Sequence, residues 1–477
     1  MSSGLSFAST TVWPVIMFLA VILGGLLVGN TLKRYIPFLR KSLIPVSVIG
    51  GLFLLFVSTV VKFTTGEYLF NYAIFCEGSS MTGIEMLEVL TYHALAIGFI
   101  AMTLRKSDNK KEKVKGRIGE IVNTGITTVS TYLIQGFVGL AITVVASFII
   151  PKLIKASGII LCFGFGQGTG QALNYGSIYE NDYGFFGGKS FGLTIAALGF
   201  LAASIGGVIY LNYHKKKGDI IIREQASSLN REIVEDDGEV PMVDSIDKIT
   251  LQISLVVVCY ALTYMMMYVL GNLVGEGLVT TIYGFNFLLG TLSAVIVKEI
   301  LKILRKTKLM HRDYVNNFLL NRIAGLAFDV MIVAGIGAIR VDLIKDYWGV
   351  LLILALAGVL VTFIYIKFVS FRLFKNYEHE QFMVMYGMLT GTASTGVILL
   401  REIDPSFETP ASENIVYQNF PAILLGFPMM LVAAFCPKSD LATYITMAVI
   451  AVYFIVLNII LFRSVIFKKR GKKAAEK

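Results

Sequence analysis

Residues 163–171 read Phe163-Gly164-Phe165-Gly166-Gln167-Gly168-Thr169-Gly170-Gln171, with a glycine at every second position. Each glycine costs about 1 kcal/mol in a helix interior relative to alanine, and this run meets that cost at four positions. Apolar sequence nonetheless flanks it on both sides, from Ile159 to Tyr179. Broken backbone at membrane depth persists only where it is buried in protein or lines a watery cavity. The run therefore reads as the tip of a re-entrant hairpin, residues 157–179, that offers main-chain amides, carbonyls and small hydroxyls to a solute. A weaker version, Tyr386-Gly387-Met388-Leu389-Thr390-Gly391-Thr392-Ala393-Ser394-Thr395-Gly396, lies within a second candidate hairpin, residues 382–400. Two interrupted hydrophobic segments at matching places in two halves point to the binding site of a secondary transporter.

Composition agrees with a membrane setting. Of 477 residues, 55% are hydrophobic and 16% charged, against about 25% charged in soluble chains. Mean hydropathy is +0.72. The net charge of +10 is not a nucleic-acid footprint, because the basic residues sit in short runs between apolar spans, as the resistance of Lys and Arg to translocation requires. The four cysteines lack paired metal-ligand spacing, and the four histidines form no H-E-x-x-H cluster. Neither a nucleophile–base pair nor a metal cluster suggests an enzyme, and no cofactor beyond a coupling ion is expected.

A spanning helix needs about 20 mostly apolar residues. Spans are expected at about 12–31, 42–61, 91–104, 118–150 and 190–211, then about 249–270, 280–300, 323–339, 348–368, 421–435 and 441–462. Lys33-Arg34, Arg105–Lys113, His214–Lys217, Lys302–Lys308 and the tail Lys468–Lys473 mark the inside. The first span follows no basic n-region, so no cleavable signal is expected and the N-terminus lies outside. The fold class is thus an all-α polytopic membrane protein of about eleven transmembrane helices with the C-terminus inside. Residues 1–213 form a first repeat, 214–248 a cytoplasmic linker, 249–438 a second repeat of inverted topology, and 439–477 an extra final span with a basic tail. Each repeat carries one Gly-rich re-entrant hairpin before its last span.

The candidate site residues follow from this frame. In the first hairpin they are Gly166, Gln167, Gly168, Thr169, Gly170 and Gln171; in the second, Gly391, Thr392, Ser394 and Thr395. Free amide N–H groups bind anions, and carbonyls such as those of Gly166, Gly168 and Gly391 suit Na⁺. Close helix packing through small residues is the structural alternative, and Gly387-x-x-x-Gly391 matches its spacing. On the fourth span, Asn123, Thr127, Thr131 and Gln135 share one face, from which Thr131 and Gln135 are taken as candidates; a packing seam is the alternative. Asn286, with Ser293, is a weaker pair. Asp329 is an intramembrane carboxylate, fit for Na⁺ or a proton, or for a structural pairing with Arg322 or a polar group of a neighbouring helix.

At Gly166-Gln-Gly-Thr-Gly170 the chain resembles the sodium/glutamate symporter family (ESS). Ile44-Pro-Val-Ser-Val-Ile-Gly-Gly51 is similar to that family's early Pro-Val-x-Gly-Gly element, and Gln135 stands where the family has a Gln. Leu389 stands where the family pattern usually has Gly, Ser394 where it often has Pro, and Phe165 replaces a Gly. The resemblance implies two inverted halves whose hairpin tips meet near the membrane centre, a homodimer, and a bacterial inner-membrane location. It also implies Na⁺-coupled symport of glutamate or a similar small acidic amino acid by alternating access. A carrier of another organic anion coupled to H⁺ or Na⁺ stays open, with Asp329 as its obvious proton site; an ion channel is a more distant alternative.

Overall fold

The computed structural model describes residues 10–106, 117–220, 246–274, 276–405 and 408–463. Most of the linker 214–248, much of the basic loop 105–113 and the tail 468–473 lie outside the described residues. The long helices are α1 (Pro14–Tyr35), α2 (Val46–Thr65), α3 (Gly83–Leu104), α4 (Ile118–Ala146), α5 (Ile160–Tyr183), α6 (Gly188–Lys217) and α7 (Lys248–Val274). They continue as α8 (Asn286–Lys306), α9 (Asn317–Gly337), α10 (Trp348–Leu373), α11 (Glu378–Thr390), α12 (Ala393–Arg401), α13 (Asn419–Phe435) and α14 (Asp440–Leu461). No strand occurs among the described residues.

Ten described helices are long and apolar enough to cross a membrane. The chain is therefore an all-α protein of multi-pass membrane character. The expected span at 280–300 is not one of the ten. It is divided between a helix at Glu276–Gly284 and α8, whose second half carries Lys298, Glu299, Lys302, Arg305 and Lys306, so neither helix alone offers the apolar length. Local chemistry sets the helix ends. Thr82 and Glu85 cap α3 reciprocally, Lys33 and Arg34 sit at the negative end of α1, and Asn316 caps α9 through Leu319 N–H.

The chain divides into two compact units that cut across the sequence halves. The first comprises Met1–Thr31, Val46–Asn109 and Ser227–Ala338, and so takes α1–α3 and α7–α9. Its centre is α3, where Ile100, Ala101 and Leu104 are buried among Val256, Cys259, Ala294 and Leu320. Gly98 lets Phe328 lie directly against α3: a Cβ there would stand 2.5 Å from the ring. The second comprises Leu32–Pro45, Lys110–Ala226 and Ile339–Lys477, and so takes α4–α6 and α10–α14. In it, α4 meets the turn before α5 backbone to backbone, since a Cβ on Gly139 would lie 2.0 Å from the Gly158 carbonyl oxygen.

Candidate functional site

The first glycine run breaks the helix at one residue. Gly168 has φ 79° and ψ −168°, while the rest of α5 stays helical. That region of backbone space is open essentially to glycine alone. The chain turns back on itself there. Phe163 and Tyr175 stack with ring centroids 3.6 Å apart, although twelve residues of straight helix would separate them by about 18 Å. Ile160 and Ala172, one from each arm, both pack against Gly192 of α6. The sequence spreads its glycines over four positions, and they divide the labour. Gly164 makes room for Ile195 and Gly166 for the Tyr132 ring, while Gly168 makes the turn.

The second run folds back as well. α11 ends at Thr390, and Gly391 leaves helical geometry with φ −140° and ψ −103°. Thr392 then caps α12 by accepting from Thr395 N–H. Gly387 and Gly396 close the hairpin, because a Cβ on the first would lie 2.7 Å from the Cα of the second. Gly387 and Gly396 therefore serve packing between the two arms of one hairpin, whereas Gly391, the second glycine of the Gly-x-x-x-Gly spacing, lies at the break.

The two turns meet within the second unit. A Cβ on Gly168 would stand 3.5 Å from Thr392 Cγ2 and 4.0 Å from the Gly391 carbonyl oxygen. Around this meeting point the main chain is short of partners, because each broken helix leaves about four N–H or C=O groups without an intrahelical bond. Gln135 supplies one: its Nε2 donates to the Leu389 carbonyl, 2.8 Å, and to Thr362 Oγ1, 2.7 Å. Tyr132 Oη donates to the Gly166 carbonyl, 3.2 Å. Thr390 Oγ1 donates to the Tyr386 carbonyl, 2.6 Å, and Thr131 to that of Thr127, 2.7 Å.

Gln171 is the exception. It is 1% exposed, yet neither Oε1 nor Nε2 has a hydrogen-bond partner. Gln135 Oε1 is likewise buried and unpartnered. A buried amide without a partner costs roughly 1–3 kcal/mol, and both side chains keep hydrogen-bonding capacity that no neighbouring residue meets. Thr169 and Thr395 are fully buried, Gln167 and Thr392 half-buried, and Ser394 exposed. No Asp, Glu, Lys or Arg occurs in 156–179 or 381–400. The fixed electrostatics of the meeting point are therefore main-chain dipoles and amides.

Three expected residues, Asn286, Ser293 and Asp329, fall in the first unit. Asn286 starts α8 and donates from Nδ2 to the Tyr92 carbonyl, 2.9 Å, with Oδ1 unpartnered. Ser293 bonds to Thr263 and to the Leu289 carbonyl. Asp329 is exposed on α9, and Arg322 stacks its guanidinium over Phe318, 5.0 Å from the ring centroid. Within the second unit, sequence reading missed a polar network at the start of α4. Arg117 pairs with Glu120 and Glu413, Tyr377 Oη donates to Glu120, and Asn414 joins Tyr377 to Gln381. Its members are spread over about 300 residues of sequence, and no local spacing marks them. No protein-family model and no curated protein matches this chain.

Proposed function

We propose that the chain is a secondary active transporter that carries a small anionic amino acid, glutamate or a close analogue, together with Na⁺ by alternating access. The observation that carries this reading is the meeting of two helix breaks, at Gly168 and at Gly391-Thr392, beside the unpartnered Gln171. Each break pairs the C-terminal end of one arm with the N-terminal start of the next. The arms from Thr169 and from Ala393 present N–H groups and a partial positive charge of about half a unit each to an anion. The arms ending at Gln167 and Thr390 present carbonyls, which suit a hard cation. With no Lys or Arg in 156–179 or 381–400, the coupling ion supplies the missing counter-charge, and linkage makes each ligand favour the other.

In this reading the hairpins are re-entrant from opposite faces of an inner membrane of a bacterial cell, the repeats are inverted, and the protein works as a homodimer. The chain is a carrier rather than an enzyme. Uptake by proteoliposomes under separate Na⁺ and H⁺ gradients, with a panel of labelled acids, tests it. Saturable uptake driven by the Na⁺ gradient is expected, whereas flux that neither gradient drives would sink the reading. The exposed carboxylate of Asp329 favours one rival, a proton-coupled organic-anion carrier. In that case Asp329→Asn would abolish uptake driven by the H⁺ gradient.

A further inference from the structure

At the end of the second unit marked by Lys215–Lys217, two histidines face each other. His214 lies in the last turn of α6, and His379 is the second residue of α11, the first arm of the second hairpin. Their ring centroids are 4.9 Å apart. His214 Nδ1 lies 3.1 Å from Asp219 Oδ2, and Lys217 Nζ lies 3.0 Å from the same oxygen. Tyr210 Oη lies 2.8 Å from His379 Nδ1.

The Tyr210 ring lies between His214 and the first arm of the hairpin, 4.3 Å from His214 and 4.1 Å from Phe382. Phe382 stacks in turn on Tyr386 at 5.6 Å. Tyr386 donates to the Ala202 carbonyl, 3.1 Å, and its own carbonyl receives the Thr390 hydroxyl at the turn. One continuous file of rings therefore joins the histidine pair to the tip.

We infer that His214 and His379 form a pH-responsive clamp on the base of the second hairpin, closed while at least one ring is neutral and released when both are protonated. One proton is accommodated, because His214 faces the Asp219 carboxylate. A second proton puts like charges on two touching rings. It also places a cation at the positive end of α11 and leaves His379 Nδ1 able only to donate toward Tyr210. The other charged and titratable groups facing the pair are Glu378 and Glu380 on α11, Lys367 on α10, and Tyr210 and Tyr213 on α6. Lys217, and then His214, hold the Asp219 carboxyl below the usual carboxylate range. Asp219 thus stays charged as the pH falls toward about 5.

Thermal unfolding of the purified full-length protein tests the clamp without reference to transport. Melting temperature is measured from about pH 7.5 to about pH 5, across the range where histidine titrates, for the wild type, H214Q, H379Q and the double variant. The wild type is expected to lose stability on acidification, and each single variant to flatten that profile, with the double variant flattening it no further. A wild-type pH profile retained by H379Q would overturn the inference, and so would a constant offset at every pH. In proteoliposomes with the internal pH varied, wild-type uptake is expected to fall about fivefold over the same range and H379Q uptake to stay level. If the wild type carries nothing at any pH, the transport reading fails, and the melting profiles still decide the clamp.

Discussion

At the scale of single residues, Gly168 and Gln171 carry the most weight, for opposite reasons. Gly168 is required by its backbone and not by lack of space, since the nearest atom to a Cβ there would be at an ordinary 3.5 Å. Gly168→Ala is therefore expected to cost about 1–3 kcal/mol locally and to abolish uptake while the protein still inserts and purifies. Normal uptake by that variant would show that the turn is dispensable. Gln171 is buried without a hydrogen bond, so replacing it by an apolar residue of similar size removes an unsatisfied group. Gln171→Leu is expected to leave the melting temperature unchanged or raised. Substrate affinity should fall by about tenfold, roughly 1.4 kcal/mol. A variant that loses stability and keeps its affinity would assign Gln171 to packing.

At the scale of elements, each hairpin is held by contacts that only glycine permits. Gly396 lies so close to α11 that a Cβ would stand 2.3 Å from the Val384 carbonyl oxygen, which is backbone and cannot swing away. Gly396→Val is expected to pry α12 from α11, lower the melting temperature by several degrees, and open the turn to proteolysis between Thr390 and Ala393. An unchanged digestion pattern would count against the close packing of the two arms. The glycine run at 163–171 was legible as a break because four glycines in an apolar stretch have no ordinary helical use. Which glycine breaks the helix was not legible: Gly164 and Gly166 answer to Ile195 and Tyr132, residues distant in sequence.

At the scale of the whole molecule, the proposed coupling predicts strong dependence of substrate binding on Na⁺. With no Lys or Arg in 156–179 or 381–400, removing Na⁺ should weaken substrate binding at least about tenfold, and substrate should tighten Na⁺ by the same factor. Calorimetric titration in both orders checks this, and substrate affinity unchanged by Na⁺ would rule out the coupling. Charge patterning also predicts that reporter fusions placed after Lys308 and after Lys473 both read as cytoplasmic. A fusion after Lys308 that reads as external would reverse the orientation of the second half. The compact units take three long helices from each half of the chain into one body and the remainder into the other, a partition that hydropathy does not display.

The sequence by itself determined the membrane character, nearly all the helices and the two places where helical order fails. Those depend on local quantities: apolar length, charge placement, and the conformational cost of glycine. The expected span at 280–300 is not one unbroken apolar helix for local reasons too, since it divides at Phe285 and charges occupy α8 from Lys298 onward. Only the tertiary structure decided that the arms fold back, that the two breaks meet in one unit, and that Gln135 holds Leu389 while Gln171 holds nothing. Contacts of that kind join residues up to about 250 positions apart. Their geometry is set by the backbone approaches that glycine allows between helices, which no periodicity in the chain records.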